Sequence, residues 1–389
     1  MGKHILPVYK PSELSFQKGN GCYLLDQNGK KFLDFSSGIG VNILGYNHHH
    51  LTTALKESAD KVWHTSNIYT IPGQEILAKR LVENSFAEYV FFCNSGSEAV
   101  ECAIKATRKY FHAKGMPEKN RIITIQGCFH GRTMAAISAG GQKRHIEGFG
   151  PLLKGFDQVP FGDHDTIKQF ITNQTAGILI EPILGEGGIK VIPEICLKGL
   201  REICSEKKIL LICDEIQSGM GRSGKFFSYE WANIKPDIVT VAKGLGGGFP
   251  IGACLTSKEV GEKMTFGSHG STFGGNPLAV AVANAVLDIV FDKSFLRQVN
   301  EVSQYFFAGL EKLKNDSNQI LEIRGKGLIL GIKFGDETKC EVFVDKAREN
   351  GLLIVKAAEN VVRLLPPLII SKEQIDHGLK ILQTTLKIK

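Results

Sequence analysis

"ILLICDE", residues 209–215, carries five apolar residues in a row and then two carboxylates. A run with no polar alternation is a strand buried on both faces, which in a sheet requires helices above and below. The same texture recurs on both sides of it, in "EYVFFCN" (88–94), "RIITIQG" (121–127), "AGILIEP" (176–182), "DIVTVAKG" (237–244) and "IGACLTS" (251–257). The separations between most of these runs have room for a helix. The pattern therefore predicts an α/β fold with a mostly parallel central sheet flanked by helices.

Outside this block the texture changes. The first 45 or so residues hold the turn signals "KGNGC" and "QNGKK", which read as hairpins. From about residue 280 a long apolar helix, "NPLAVAVANAVLDIVF", precedes short alternating strands near 321–335 and 360–370. The expected division is an N-terminal segment, 1–48, joining a small α+β domain at 281–389, with a large domain at 49–280 between them. The length of 389 residues agrees with about two to three domains.

Composition narrows the function. The chain is 43% hydrophobic and 22% charged, with 47 basic and 40 acidic residues interspersed, for a net charge of +7. That balance lacks the clustered basic surface of a nucleic-acid binder and allows only a mild bias toward small anions. Nine cysteines form no CxxC pair and several sit in apolar runs, so they read as reduced core residues in a reducing compartment. The opening "MGKHILPVYKPSELSF" has no targeting pattern and no run reaches membrane-spanning length, which implies a cytoplasmic protein.

Chemistry enters at the ends of the strands. Lys243 closes one apolar run and Asp214 another, the positions at which open α/β sheets present groups to a ligand. A lysine there needs a partner, because stripping water from an ammonium is costly. In "FFCNSGSEAVECAIKATRKYF" (91–111), Ser95 and Glu98 form a capping box. The helix it opens carries Val100, Ala103, Ile104, Thr107 and Phe111 on one face. A strand, a glycine turn and a helix N-terminus make a seat for phosphate, with Gly96 and Ser97 at its mouth. An amine, an acid and a phosphate seat are the groups that pyridoxal phosphate requires.

Other patterns read differently. "GMGRSG" (219–224) fits GxGxxG and keeps a nucleotide-binding oxidoreductase as the alternative from another class. It does not directly follow the strand, and "KFFSYEWANIKPD" after it is a poor helix. His48, His49 and His50 lack a matching ligand motif and read as a solvated turn, so no metal site is expected. His130 reads as a supporting residue, since Lys243 already supplies a base.

Six segments in order, "NSGSEA", "FHGR", "EPILGEGG", "DEIQSGMGRSG", "AKGLGGGFP" and "GSHGSTFGGNPL", resemble the class III pyridoxal phosphate aminotransferases, most closely those acting on acetylornithine. The resemblance covers essentially the whole chain. It implies a fold-type-I homodimer using pyridoxal 5'-phosphate, with an amine donor and 2-oxoglutarate or glutamate as small-molecule partners. Gly96 and Ser97 would hold the phosphate, Ser97 standing where the family usually has threonine. Phe129 would stack on the ring, Asp214 pair with its nitrogen and Gln217 meet its phenolic oxygen, with Glu215 and Ile216 beside them. Lys243 would form the imine. Thr272 would reach the phosphate in the neighbouring subunit.

For substrate, the resemblance implies that Arg132 and Ser271 clamp a carboxylate. Glu186 and Arg363 would let one site take both an amine donor and a dicarboxylic oxo acid. Ile39 stands where ornithine aminotransferases tend to carry a tyrosine contacting a free α-amino group, and an apolar residue there suits an acylated nitrogen. The implied reaction passes the amino group of N2-acetylornithine to 2-oxoglutarate, a step of arginine biosynthesis. Ornithine, 4-aminobutyrate and succinyl-diaminopimelate remain the alternative donors.

Overall fold

The computed structural model describes residues 4–387. Residues 1–3, on which the targeting expectation partly rests, and 388–389 lie outside the described residues. The central sheet has seven strands: β1 (Tyr89–Cys93), β2 (Arg121–Ile125), β3 (Phe156–Val159), β4 (Thr175–Ile180), β5 (Leu210–Asp214), β6 (Ile238–Val241) and β7 (Gly252–Thr256). Their spatial order is β1-β7-β6-β5-β4-β2-β3. β7 runs antiparallel to both of its neighbours, and every other pairing is parallel. Six of the seven strands are the apolar runs of the sequence. The seventh, β3, has the sequence FDQV and only one buried residue, because an edge strand need not be apolar on both faces.

Helix α1 (Gly96–Ala113) follows β1 and buries Val100, Ala103, Ile104, Thr107 and Phe111 against the sheet. Its cap is close to the expected box: Ser95 Oγ accepts from Glu98 N at 3.3 Å. Glu98 returns the contact one residue earlier, to Asn94 N at 2.8 Å.

At the N-terminus, strands Phe16–Asn20, Tyr23–Asp26 and Lys31–Asp34 form the hairpins that the turn signals predicted, and Lys31–Asp34 pairs in parallel with Leu352–Leu353. The C-terminal part builds an antiparallel sheet ordered Ile320–Lys326, Ile329–Phe334, Val361–Leu364, Val355–Ala357. The long helix Pro277–Val290 packs on helices His49–Ala59 and Pro72–Glu83, so it belongs with the large part of the molecule by contact.

One local reading differs from the structure, and one is borne out. His49 and His50 open the helix His49–Ala59, with His50 Nε2 at 2.8 Å from Asp288, rather than lying on a solvated turn. No capping side chain marks that helix start, which removes the local signal. "GMGRSG" forms turns, and its Arg222, almost fully buried, donates to the carbonyls of Leu328 and Pro366. The motif therefore braces the C-terminal part instead of opening a helix over a nucleotide. Among the described residues no helix is long and apolar enough to cross a membrane.

Candidate active site

The carboxyl ends of β4, β5 and β6 and the N-terminus of α1 surround a cavity of about 350 Å³. Gly96, Ser97, Phe129, Asp214, Ile216, Gln217 and Lys243, all selected from sequence, line it. These residues are scattered over about 150 positions of chain and meet because each lies just beyond a strand end or a turn facing the same side.

Lys243 follows β6 with φ of 45°, a left-handed conformation uncommon for a side chain with a Cβ. Its amine makes no hydrogen bond or ion pair with any described residue. Burial, and then the nearby Arg363 cation, pull it down to about 8, against the opposing pull of Glu186, Glu181 and Asp214.

Asp214 is held on three sides. His130 Nδ1 lies 2.7 Å from Oδ2, while Thr240 Oγ1 and the backbone N of Ile216 donate to Oδ1 at 3.0 and 3.1 Å. Burial works against charge on His130, but Cys128 and Asp214 beside it outweigh that and raise its titration well above the ordinary value. His130 thus supports the acid, as its expected role required. Gln217 accepts from Arg363 Nη1 at 2.9 Å through Oε1, which leaves its NH2 group as a donor. Arg363, almost fully buried, also donates to Glu186 at 2.8 Å, so the two residues read as a pair from sequence are joined.

The seat at α1 is shaped by glycine. Gly131 has φ of +125°, and a Cβ there would lie 2.2 Å from Ser97 Oγ. The hydroxyl also sits 3.3 Å from Arg132 N. The exposed Arg132 guanidinium lies 5.7 Å from the Phe129 ring centre. The donor set matches pyridoxal phosphate: backbone N–H groups and a hydroxyl at a helix start, an aromatic face, a held carboxylate and an unpaired amine.

Other selected residues lie elsewhere. Glu215 is fully buried with its carboxylate turned from the cavity, accepting from Ser218 Oγ and from Tyr229 N. Neighbours along a strand face opposite ways, so Asp214 pointing in sends Glu215 out. Ser271 Oγ accepts from Asn94 Nδ2 at 3.1 Å, and Asn94 lines the cavity. Thr272 is exposed and is not among the residues lining this chain's cavity. Ile39 is 41% exposed with φ of 66°, outside the lining, while its neighbour Gly40 faces Gln217 and Leu365.

Sequence reasoning passed over two residues. Glu181 lines the cavity and is pushed up to about 7, chiefly by burial, with His130 opposing and Asp214 adding to the shift. It stands directly after β4, the same strand-end signal that singled out Asp214. His145 packs edge-on against Phe129 at 5.7 Å between ring centres, a contact with no local signature.

The sequence and the fold have counterparts among known proteins. The chain is 52% identical to an acetylornithine aminotransferase of Agrobacterium fabrum over 376 residues, 96% of this chain and 94% of that protein. It matches the crystal structure of N-acetylornithine aminotransferase from Stenotrophomonas maltophilia with a TM-score of 0.85 at 37% identity, covering 96% of each chain. An ornithine aminotransferase structure from Toxoplasma gondii, described with partial occupancy of pyridoxal phosphate at its active site, matches with a TM-score of 0.94 at 29% identity, over 99% of this chain and 92% of that one. The profile of class III aminotransferases covers residues 7–386, and with the strand-end lysine and acid in one cavity the chain belongs to that family.

Proposed function

We propose that this aminotransferase moves the amino group of N2-acetylornithine to 2-oxoglutarate, yielding N-acetylglutamate 5-semialdehyde and glutamate. The observation that carries the reading is the unpaired Lys243 amine sharing one cavity with Asp214 and the N-terminus of α1. Relatives about half identical over nearly the full chain support the choice of donor. Pyridoxal 5'-phosphate, when bound, supplies an electron sink for the carbon bearing the amine.

The chain's residues do the rest. Gly96 and Ser97 hold the phosphate, Phe129 covers the ring face, and Ile216 packs beside it. Asp214, oriented by His130, holds a proton at the ring nitrogen, because a fixed carboxylate favours the cationic form. Lys243 moves the proton at the substrate carbon, which its lowered affinity for protons allows near neutral pH. Arg132, with Ser271 behind Asn94, binds the substrate α-carboxylate. Glu186 neutralises Arg363 while the amine donor is bound and leaves it free for the second carboxylate of 2-oxoglutarate. Ile39 borders the acylated nitrogen.

The enzyme serves arginine biosynthesis in the cytoplasm as a homodimer, Thr272 reaching the partner's cofactor. Exposed Trp63, Ile68, Tyr69 and Phe273 support an interface there, since Asn67 bonds the backbone of Ser271 at 3.1 Å and gathers both segments. The N-terminal segment 1–48 joins the C-terminal part, supported by the pairing of Lys31–Asp34 with Leu352–Leu353, whereas the boundary at 280 falls inside the helix Pro277–Val290, which packs with 49–280.

The test is glutamate release from 2-oxoglutarate across a panel of amine donors. We expect kcat/KM for N2-acetylornithine to exceed that for ornithine about tenfold or more, the scale of one mismatched polar contact. Equal values would favour the ornithine reading, and no release with any donor would remove both. Borohydride reduction of the loaded enzyme should fix the pyridoxyl group to Lys243; a label on another lysine overturns the assignment.

A further inference from the structure

Glu181 is buried and yet forms no ion pair with any described residue. A carboxylate taken out of water needs compensation, and two backbone donors provide part of it, opposing the burial that still raises the acid. Phe129 N donates to Oε1 at 2.7 Å and Gly185 N to Oε2 at 3.2 Å. The two donors belong to different loops. One follows β2 and carries the Phe129 ring. The other follows β4 and carries Glu186, which pairs with Arg363 at 2.8 Å.

Two N–H groups aimed at one side chain demand two acceptor atoms. Only a carboxylate offers both, since an amide would set its NH2 group against one of the donors. We propose that Glu181 is a positioning residue that ties the Phe129 loop to the Gly185–Glu186 turn and thereby sets how the site admits its dicarboxylic substrate. The inference rests on the reading of Glu186 as the group that yields Arg363 to 2-oxoglutarate. With Gly185 anchored, Glu186 exchanges by moving its own side chain while the turn stays in place. With the anchor lost, the whole turn shifts and Arg363 is no longer offered in one geometry. The amine donor, which does not engage Arg363 as an ion pair, is affected less.

The experiment compares Glu181→Gln with the parent in separate half-reactions followed by absorbance. The amide oxygen keeps the shorter bond to Phe129 N, so the Gly185 tie is the one broken. We expect the half-saturation concentration for 2-oxoglutarate to rise about tenfold, the effect of one hydrogen bond to a charged group. That for N2-acetylornithine should change less than threefold. Hydrogen exchange, run with and without pyridoxal 5'-phosphate, should quicken in a peptide spanning 182–188 and not in one spanning Phe129. A purely structural Glu181 would instead lower the melting temperature and cofactor content, leaving the two half-saturation values of the loaded enzyme in their parental ratio. That outcome, or unchanged exchange at 182–188, overturns the proposal. If Glu181→Gln does not fold, Glu181→Asp, which keeps the charge but is too short to span both donors, is read against the same two outcomes. Glu186→Ala is the control. If it too leaves the ratio unchanged, the reading of Glu186 and Arg363 falls and this inference with it; if it shifts the ratio while Glu181→Gln does not, this inference alone falls.

Discussion

Lys243 shows what a single residue's environment can do. Burial and the Arg363 cation lower its amine from 10.5 to about 8, and no anion pairs with it directly. The sign of the pH dependence follows. Below about 8 most of the amine is protonated and unreactive, so the free form grows about tenfold per pH unit as pH rises and then levels off. Loading of the cofactor-free protein with pyridoxal 5'-phosphate, followed by absorbance, should accelerate up to about pH 8 and flatten above it. A rate still climbing steeply toward the 10.5 of an ordinary lysine would show that the amine is not shifted. Lys243 was legible in the sequence because a lone cation at the end of an apolar run has few bland explanations. Glu181 carried the same positional signal, but what it does depends on two loops that sequence does not bring together.

At the scale of elements, the start of α1 and its buried face were readable because their signals are local: a strand, a capping box and an apolar stripe at helical spacing. Its role depends on a neighbour that is not. Gly131, 35 positions after Gly96, closes over Ser97 in a conformation with φ of +125° that only glycine adopts easily. Gly131→Ala should both strain that turn and drive a methyl into the Ser97 hydroxyl. We expect at least a tenfold weaker Kd for pyridoxal 5'-phosphate, measured by fluorescence titration, with little loss of helix content by circular dichroism. A parental Kd would show that Ser97 and Gly131 do not shape the phosphate seat. Elements without local signals escaped notice, namely the edge strand β3 and the uncapped helix His49–Ala59.

At the scale of the molecule, Thr272 and the aromatic side chains around it lie exposed on the single chain, although Trp63 donates to Ala59 O and Phe273 packs against His64. A two-fold dimer would place both against a partner, and such sharing is reciprocal. Lys243→Ala lacks the amine, and Thr272→Glu would set a negative charge against a phosphate in a dehydrated site. Each homodimer should be nearly inactive. A mixed dimer carries both defects in one site and neither in the other, so equal co-expression should restore roughly a quarter of parental activity. If the confirmed mixed dimer stays inactive, Thr272 acts within its own subunit.

What the sequence determined by itself is whatever local pattern can encode. The lengths of apolar runs specified buried strands, their order specified a wound sheet, and their polar ends marked Asp214 and Lys243, because a solvent-averse run tolerates such groups only where a ligand or partner meets them. Tertiary structure alone decided what depends on distant segments meeting. It set Arg363 against Gln217 as well as Glu186, laid Arg222 over the carbonyls of Leu328 and Pro366, and suspended Glu181 between two loops. It also separated Glu215 from Asp214, which adjacency had grouped and the alternation of a strand drives to opposite faces. Hydrogen bonds of this kind are selected by geometry over a few ångströms, and spacing along a chain carries no record of that geometry until the sheet has formed.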